Sequence, residues 1–282
     1  MRSLSGRTSV CTFSRSIVHN LCVPLLVALA ALLGGCGLLP EVKDETAGWS
    51  ANKLYSEARS AMSEGVYDKA IKLYEKLESR YPYGRFAQQA QIDIAYAYFK
   101  QSEAISSIAA CDRFIKLHPN HPNIDYVYYL KGLVTFNEDL GIFGHVSDQD
   151  QTERDPKGMQ DSFNVFKDLI ARFPESKYAP DAAQRMQYLV NAMAAHELHV
   201  ARYYMKRGAY LAAVNRAQIV VKNFAATPQV EEALFIMVKG YDQLNLPELR
   251  NDAERVMRQN FPKSVYFGNG PVVGSGPWWK LW

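Results

Sequence analysis

Apolar residues recur at helical spacing along most of the chain, and the helical runs end at a repeated signal. At five places an aromatic residue or a histidine closes such a run, usually with proline next: Tyr81-Pro82, His118-Pro119, Phe173-Pro174, Phe224-Ala225 and Phe261-Pro262. Because proline cannot continue a helix and disfavours helical geometry in the residue before it, each proline pair predicts a helix end. Phe224 lacks the proline, although Pro228 follows close behind. The pattern predicts five repeated helical units.

The first unit shows an internal plan of small, aromatic and turn residues. A frame that starts at Ala51 places these residues in order: Leu54, Ala58, Gly65, Tyr67, Ala70, Tyr74 and Pro82. This plan resembles the tetratricopeptide repeat, a helical hairpin in which small residues mark the crossing of two helices and glycine permits a tight turn. We therefore expect an all-α, tetratricopeptide-repeat solenoid of about five helical hairpins over residues 51–262.

The other units vary this plan. The fourth unit repeats it through Ala201, Gly208, Tyr210 and Ala213. The match is looser in unit two, through Ala95 and Tyr98, in unit three, through Gly132 and Phe166, and in unit five, through Tyr241 and Met257. Three stretches depart from the frame. They are a polar loop between Asp139 and Pro156, an uninterrupted helix of 29 residues over Ala179 to Arg207, and a Gly- and Trp-rich tail over 263–282.

The first 35 residues have the layout of a secretory signal. Arg2, Arg7 and Arg15 precede an uncharged apolar stretch from Leu21 to Leu33, and no acidic residue is present. This stretch is shorter than the roughly 20 residues that cross a bilayer as a helix. Residues 1–35 are therefore predicted to be removed and to take no part in the fold.

The signal ends in Leu33-Gly34-Gly35-Cys36, which resembles the lipobox of bacterial lipoproteins. The resemblance implies that Cys36 is acylated and that residues 36–50 form a lipidated tether. By the general sorting pattern of such proteins, Gly37 in place of an aspartate favours the outer membrane. The alternative is a short uncleaved membrane anchor, with Cys36 an ordinary cysteine.

Charge and cysteine content narrow the function classes. Without the signal's three arginines, 29 Lys and Arg face 29 Asp and Glu, which argues against nucleic acid as a partner. Apart from Cys36, the predicted mature chain has one thiol, Cys111, which we expect to pack between helices.

The sequence contains no motif of a catalytic or metal site. His196 and His199 lie three residues apart rather than the four of the zincin motif, and no third metal ligand is nearby. The sequence also has no phosphate-binding loop and no nucleophile elbow. We therefore expect no enzyme, cofactor or metal.

Several segments at the unit boundaries are more specific than the repeat frame. They are Arg80-Tyr81-Pro82-Tyr83-Gly84, the heptapeptide His121-Pro122-Asn123-Ile124-Asp125-Tyr126-Val127, the loop Arg154-Asp155-Pro156, and Val214-Asn215-Arg216. These segments are similar to those of the BamD, or competence lipoprotein, family of outer-membrane lipoproteins. The similarity covers the mature chain up to about Pro262.

This resemblance implies a non-enzymatic scaffold and substrate receptor of the outer-membrane β-barrel assembly machinery, anchored at the periplasmic face. The expected partners are a BamA-like POTRA barrel subunit at the C-terminal repeats, a BamC-like lipoprotein along the side, and unfolded outer-membrane proteins at the N-terminal repeats. Through its match to the family's Val-Asn-Arg segment, Arg216 is the expected anchor for the POTRA-bearing subunit.

A binding surface for client peptides follows from the repeat frame, because certain positions of each first helix line the concave side of a tetratricopeptide array. In units one to three these positions hold Tyr55, Arg59, Tyr96, Phe99, Lys100, Tyr126, Tyr129 and Phe136, together with Met62 and Ile92. Aromatic side chains supply contact area and cations supply charge-assisted bonds, which suits an extended peptide with aromatic side chains and a carboxylate. The alternative is that many of these aromatics are core between helices.

Two other interpretations remain open. A pilotin-like tetratricopeptide lipoprotein of another envelope machine would share the lipobox and the repeats, although the heptapeptide at His121 argues against it. A helical-solenoid enzyme of the cell envelope would need a catalytic glutamate in a separate compact domain, for which the chain has no residues left.

Overall fold

The structure, a computed structural model, describes residues 44–140 and 156–267, without the side chains of 137–140. Within these ranges it contains ten α-helices and no strand, which confirms the all-α prediction. The helices are α1 (Ala51–Ser63), α2 (Tyr67–Arg80), α3 (Arg85–Lys100), α4 (Ala104–Leu117), α5 (Ile124–Leu140), α6 (Pro156–Arg172), α7 (Ala179–Lys206), α8 (Tyr210–Asn223), α9 (Gln229–Gln243) and α10 (Pro247–Asn260). Cys36, the polar loop after Leu140 and most of the tail lie outside the described residues.

Successive helices pack as five hairpins, and each hairpin packs on the next. The array begins at Ser50, whose side-chain oxygen accepts a hydrogen bond from the backbone N–H of Lys53 and so caps α1. The second helix of each hairpin ends one residue before a predicted boundary residue: Tyr81, His118, Phe173, Phe224 and Phe261. The five-hairpin prediction is confirmed, and Phe224 ends its helix without a following proline.

The turns inside four of the five hairpins depend on one residue with a positive φ, and the turn of unit three lies outside the described residues. Gly65 (φ 77°) and Gly208 (φ 73°) occupy this place in units one and four, as the repeat frame predicts. Ser102 (φ 62°) and Asn245 (φ 57°) take the same conformation in units two and five, where the sequence offers no glycine. Asparagine tolerates this left-handed region better than most residues, so the turn at Asn245 keeps its geometry without glycine.

Small residues lie where helices cross. Ala58 and Ala70 are both fully buried in unit one, as the repeat frame predicts. In unit three the crossing is between Gly132 and Phe166, because a Cβ atom on Gly132 would overlap the Phe166 ring, which is itself 0% exposed. The loose repeat match at these two residues is therefore a direct packing contact.

The long helix α7 joins two hydrophobic cores. Its first half contributes Ala182, Leu189 and Met193 to the core of units two and three, and its second half contributes Leu198 and Ala201 to the core of units four and five. The 28-residue helix confirms the predicted uninterrupted span to within one residue. A single rigid element therefore runs through the middle of the array.

Cys111 is fully buried on α4, as expected from its apolar neighbours in the sequence. Burial, reinforced by the adjacent Asp112 carboxylate, raises the pKa of the Cys111 thiol to about 12, so the thiol stays protonated near neutral pH. In the part of the chain that the structure describes, none of the helices is both long and apolar enough for a membrane span.

Candidate functional site

The predicted groove residues all lie on the first helices of units one to three. The aromatic face consists of the six predicted aromatics, all partly buried: Tyr55, Tyr96, Phe99, Tyr126, Tyr129 and Phe136. Arg59 and Lys100 lie beside them and are exposed. Five of the rings pack with one side on the core of units two and three, so core packing and surface exposure hold at once. Ile92 departs from the prediction, because it is only 1% exposed and belongs to that core.

A partly buried carboxylate, Asp93, links the first helices of units one and two. The Tyr55 hydroxyl donates to Asp93 Oδ2 over 3.0 Å, and Gln89 Nε2 donates to Oδ1 over 2.9 Å. Burial raises the pKa of Asp93 above its usual range, although these hydrogen bonds oppose the shift. Burial and the nearby Asp93 together raise the pKa of Tyr55 to about 12, so Tyr55 is fixed as a neutral donor.

A second polar cluster lies where α5 meets the start of α7. The rings of Tyr129 and Tyr178 stack with centroids 4.7 Å apart and an interplanar angle of 16°. The Tyr129 hydroxyl donates to Asp181 Oδ2 over 2.7 Å, and Arg185 Nε lies 2.6 Å from the same oxygen. Burial opposes ionisation of Asp181, but the hydrogen bonds from Arg185 and Tyr129 prevail and lower its pKa. The stack is therefore locked by an ionised carboxylate.

Phe136 extends the face along α7. Its ring lies 5.7 Å from that of Tyr188, edge on, and the Arg185 guanidinium lies 5.0 Å above the Phe136 ring centroid. Tyr188 is 40% exposed. The face therefore combines rings with a cation held in place by Asp181, a combination that suits aromatic and carboxylate groups of a peptide.

The sequence predictions missed several contributors to this face: Asp93, Tyr178, Asp181, Arg185 and Tyr188. The four on or next to α7 were missed because the fourth repeat frame, anchored at Ala201 and Gly208, covers only the second half of that helix. The extra N-terminal turns of α7 carry them to the groove. Asp93 does not lie at one of the groove positions of the repeat frame. As the one acidic residue in the apolar sequence of α3, it could nevertheless have been singled out as a candidate site residue.

Arg216 lies away from the aromatic face, on α8. Its Nη1 is 3.1 Å from Glu197 Oε2 on α7, and the two side chains are 40% and 15% exposed. The guanidinium is therefore paired within its own array, while its exposed part remains accessible to a partner. Glu197 belongs to the His196-Glu197-Leu198-His199 segment, so the structure gives that acid a role in this ion pair.

The fold and its aromatic face define a class: a tetratricopeptide-type helical-repeat protein with an extended surface on its first helices. A family model described as YfiO, outer membrane lipoprotein, matches residues 48–256. The chain belongs to this family of outer membrane lipoproteins and is associated with the outer membrane, as predicted from the boundary segments.

Curated relatives carry the name outer membrane protein assembly factor BamD. The one from Neisseria meningitidis serogroup B is 46% identical over 92% of this chain and 98% of its own length. The one from Vibrio cholerae is 36% identical over 83% of this chain and 96% of its own. These relatives are assembly factors rather than enzymes, which confirms the prediction of a non-enzymatic protein.

Among solved structures, TPR-like repeats of a putative kinesin light chain from Podosopora anserina align with 76% of this chain and 96% of their own, at 14% identity and a TM-score of 0.33. The fold assignment rests on the five hairpins themselves.

Proposed function

We propose that this protein is a non-enzymatic assembly factor for outer membrane proteins that receives unfolded clients on its aromatic face. The general role is supported by the curated relatives, which are outer membrane protein assembly factors. The observation that carries the receptor role is the row of half-buried rings on α1, α3 and α5, interleaved with cations. The same relatives favour this role over a pilotin-like protein of another envelope machine.

The face suits an extended polypeptide. Rings that are held on one side by the core lose little conformational freedom when a ligand covers the other side, so their contact area contributes efficiently to binding. Arg59, Lys100 and Arg185 supply charge-assisted bonds to a client carboxylate. The fixed hydroxyls of Tyr55 and Tyr129 hold the ring positions, since each donates to a carboxylate of the next first helix.

Replacing Tyr96 and Phe99 together by alanine is expected to weaken binding of a barrel protein's C-terminal peptide. The two rings lie 6.3 Å apart on α3 and form the middle of the face. The loss is expected to be at least about 1 kcal/mol, roughly fivefold in Kd, the order found for aromatic anchors. Fluorescence anisotropy with a labelled peptide and the mature protein measures it.

The matched control is Tyr98→Ala. Tyr98 is also partly buried and also packs on the core of units two and three, but its charged neighbours are Glu75 and Arg113, on the side of the second helices. This variant therefore loses the packing of one ring on the same core without changing a residue of the aromatic face. Peptide affinity that is the same in the double variant and the control, with helical content intact, would contradict the receptor role.

The remaining contacts of the proposed complex lie elsewhere on the array. We assign the POTRA-bearing barrel subunit to the C-terminal units around Arg216, and a BamC-like lipoprotein to the array's side. An arginine suits a protein contact because its planar fork can bind a carboxylate bidentately. Its pairing with Glu197 holds the guanidinium in one place before a partner arrives.

Arg216→Leu is expected to release the POTRA-bearing subunit in pull-downs from solubilised outer membrane. It also leaves Glu197 without its partner, which costs about 1 kcal/mol because the pair is partly exposed. Glu197→Gln is the matched control, since it breaks the same ion pair but keeps the arginine. If Glu197→Gln releases the subunit as fully as Arg216→Leu does, the arginine acts through its own array and is not the anchor.

A further inference from the structure

Aromatic rings fill a repeated place where one unit meets the next. In unit one, Tyr55 lies ten residues before the turn residue Gly65. Phe86, five residues after the unit's end at Tyr81, packs against it with ring centroids 5.4 Å apart. The first residues of each new unit thus place a side chain on the first helix of the unit before.

The same arrangement recurs in units three and five. Tyr178, five residues after Phe173, stacks on Tyr129 at 4.7 Å. Tyr266, five residues after Phe261, stacks on Phe235 at 4.6 Å, and Phe235 lies ten residues before the turn residue Asn245. After the fifth unit the chain therefore continues as if a sixth began, and Tyr266 covers the end of the array.

The junction of units two and three has no ring at this place. Ten residues before the turn residue Ser102 stands Ile92, and five residues after His118 stands Asn123. A cleft of about 330 Å³ lies at this position, lined by Ile92 and Asn123 and also by Gln89, Tyr126, Lys177 and Tyr178. At the junction of units four and five the corresponding residue is Gln229, whose amide oxygen is itself enclosed.

We propose that this cleft is a pocket for one aromatic side chain of a bound polypeptide, which supplies the ring that the chain itself places at the junctions of units one and two and of units three and four, and at the end of unit five. The proposal rests on the receptor role of the aromatic face and assigns its specificity pocket. A volume of about 330 Å³ is near the lower end of the usual range for ligand pockets, about 300–1,000 Å³, which suits one side chain rather than a larger group.

The walls of the cleft match such a guest. The rings of Tyr126 and Tyr178 lie 5.6 Å apart at a tilted angle, and Tyr178 is held from behind by its stack on Tyr129. A guest ring beside them has access to the tilted and offset contacts that aromatic pairs prefer. Lys177 Nζ lies 5.0 Å from the Tyr178 ring centroid, at the mouth, where it can also pair with a peptide carboxylate.

The rim is polar and fixed, which suits the backbone of an extended peptide. Asp125 accepts hydrogen bonds from the Ser176 hydroxyl over 2.7 Å and from the backbone N–H of Tyr126 over 2.8 Å. Gln89 is held by Asp93. Because the walls and rim are already fixed, binding does not lose conformational entropy in ordering them, and one buried ring contributes strongly to affinity.

The test fills the pocket with a side chain of the protein itself. Asn123→Tyr puts a ring at the position that Phe86 and Tyr178 hold at two other junctions and Tyr266 holds after unit five. Two labelled probes are titrated into the mature protein: a ten-residue C-terminal peptide of an outer membrane protein with one tryptophan, and the same peptide with that tryptophan replaced by alanine. Asn120→Tyr, in the same exposed loop but outside the cleft, is the matched control.

We expect Asn123→Tyr to weaken binding of the tryptophan peptide at least about tenfold and to leave the alanine peptide unchanged, since only the first probe uses the pocket. Asn120→Tyr should bind both probes as the unaltered protein does. If the unaltered protein binds neither probe, the proposed receptor role is contradicted. If it binds the tryptophan peptide and Asn123→Tyr binds it equally well, the pocket assignment is wrong while the receptor role stands.

A second measurement needs no variant and decides the matter if Asn123→Tyr fails to fold. The tryptophan of the probe is replaced by benzoyl-phenylalanine, the complex with the unaltered protein is irradiated, and crosslinked residues are identified by mass spectrometry. Crosslinks to Ile92, Asn123, Tyr126 or Tyr178 support the pocket. Crosslinks confined to other parts of the aromatic face overturn it.

Discussion

Phe166→Ala is expected to lower the free energy of unfolding by about 3–5 kcal/mol, the cost typical of removing a buried phenylalanine. Phe166 is 0% exposed, and its ring contacts Gly132 on α5 and lies 6.4–6.5 Å from the rings of Tyr129 and Phe136. Two residues of the aromatic face therefore lose their support from behind. Urea denaturation of the mature protein, followed by circular dichroism, measures the change, with Tyr83→Ala as control because Tyr83 is 94% exposed.

The contact between Gly132 and Phe166 predicts that the effect of Gly132→Ala on the free energy of unfolding depends on the residue at position 166. A general loss of packing would not give this dependence. A Cβ atom on Gly132 would overlap one atom of the ring and lie 2.7 Å from Cδ1, so Gly132→Ala alone should destabilise by about 1–3 kcal/mol. In the Phe166→Leu background the shorter side chain leaves room, and the helix preference for alanine over glycine should make the same change neutral or stabilising. Additive effects of the two substitutions would contradict this packing.

The hairpins were predictable because their signals are local. Proline after an aromatic residue, glycine in the turn and alanine at the crossing each act through the backbone of a few neighbouring residues, so they can be seen without knowing the fold. Phe224 and Ser102 show how far the plan holds without its usual residues, since packing ends α8 without proline and forms a left-handed turn without glycine. The length of α7 was also predictable, because no breaker interrupts its periodicity.

The candidate site was only partly predictable because it depends on contacts between units. Tyr55, Tyr96 and Tyr129 lie where the repeat frame places them, but Ile92, at the position equivalent to Tyr55 and Tyr129, is only 1% exposed and belongs to the core of units two and three. How far a frame position is buried depends on the side chains that pack around it from other helices, and the repeat frame does not contain them.

The long helix α7 connects two distant parts of the array. Because α7 enters both cores, it connects the two proposed sites: its Asp181 binds Tyr129 and its Glu197 pairs with Arg216, and these two acids lie sixteen residues apart along it. Sixteen residues of α-helix span about 24 Å. The proposed client surface and the proposed partner contact are therefore connected by continuous helix rather than by loops.

Cys36→Ala is expected to remove the protein from the outer membrane, because the variant has no residue to carry the acyl chains. Of the four cysteines, Cys36 alone follows an apolar run and two small residues, whereas Cys111 is buried in the array. A single acyl chain gives only marginal, reversible binding, and stable anchoring needs at least two, so losing the acylated cysteine removes the whole anchor. The measurement is metabolic labelling with a radioactive fatty acid, followed by separation of inner membrane, outer membrane and soluble fractions.

Gly37→Asp is the matched companion, because it keeps the acylated cysteine and changes only the sorting residue. We expect this variant to take up label but to stay with the inner membrane, whereas Cys36→Ala takes up no label and is found unprocessed or soluble. The two variants together separate anchoring from sorting, and the unaltered protein tests the alternative: an anchor formed by an uncleaved apolar stretch from Leu21 to Leu33 would leave the unaltered protein without label and at full precursor mass. Label entering Cys36→Ala would place the acyl group on another residue and would remove the basis for treating residues 36–50 as the tether of the array.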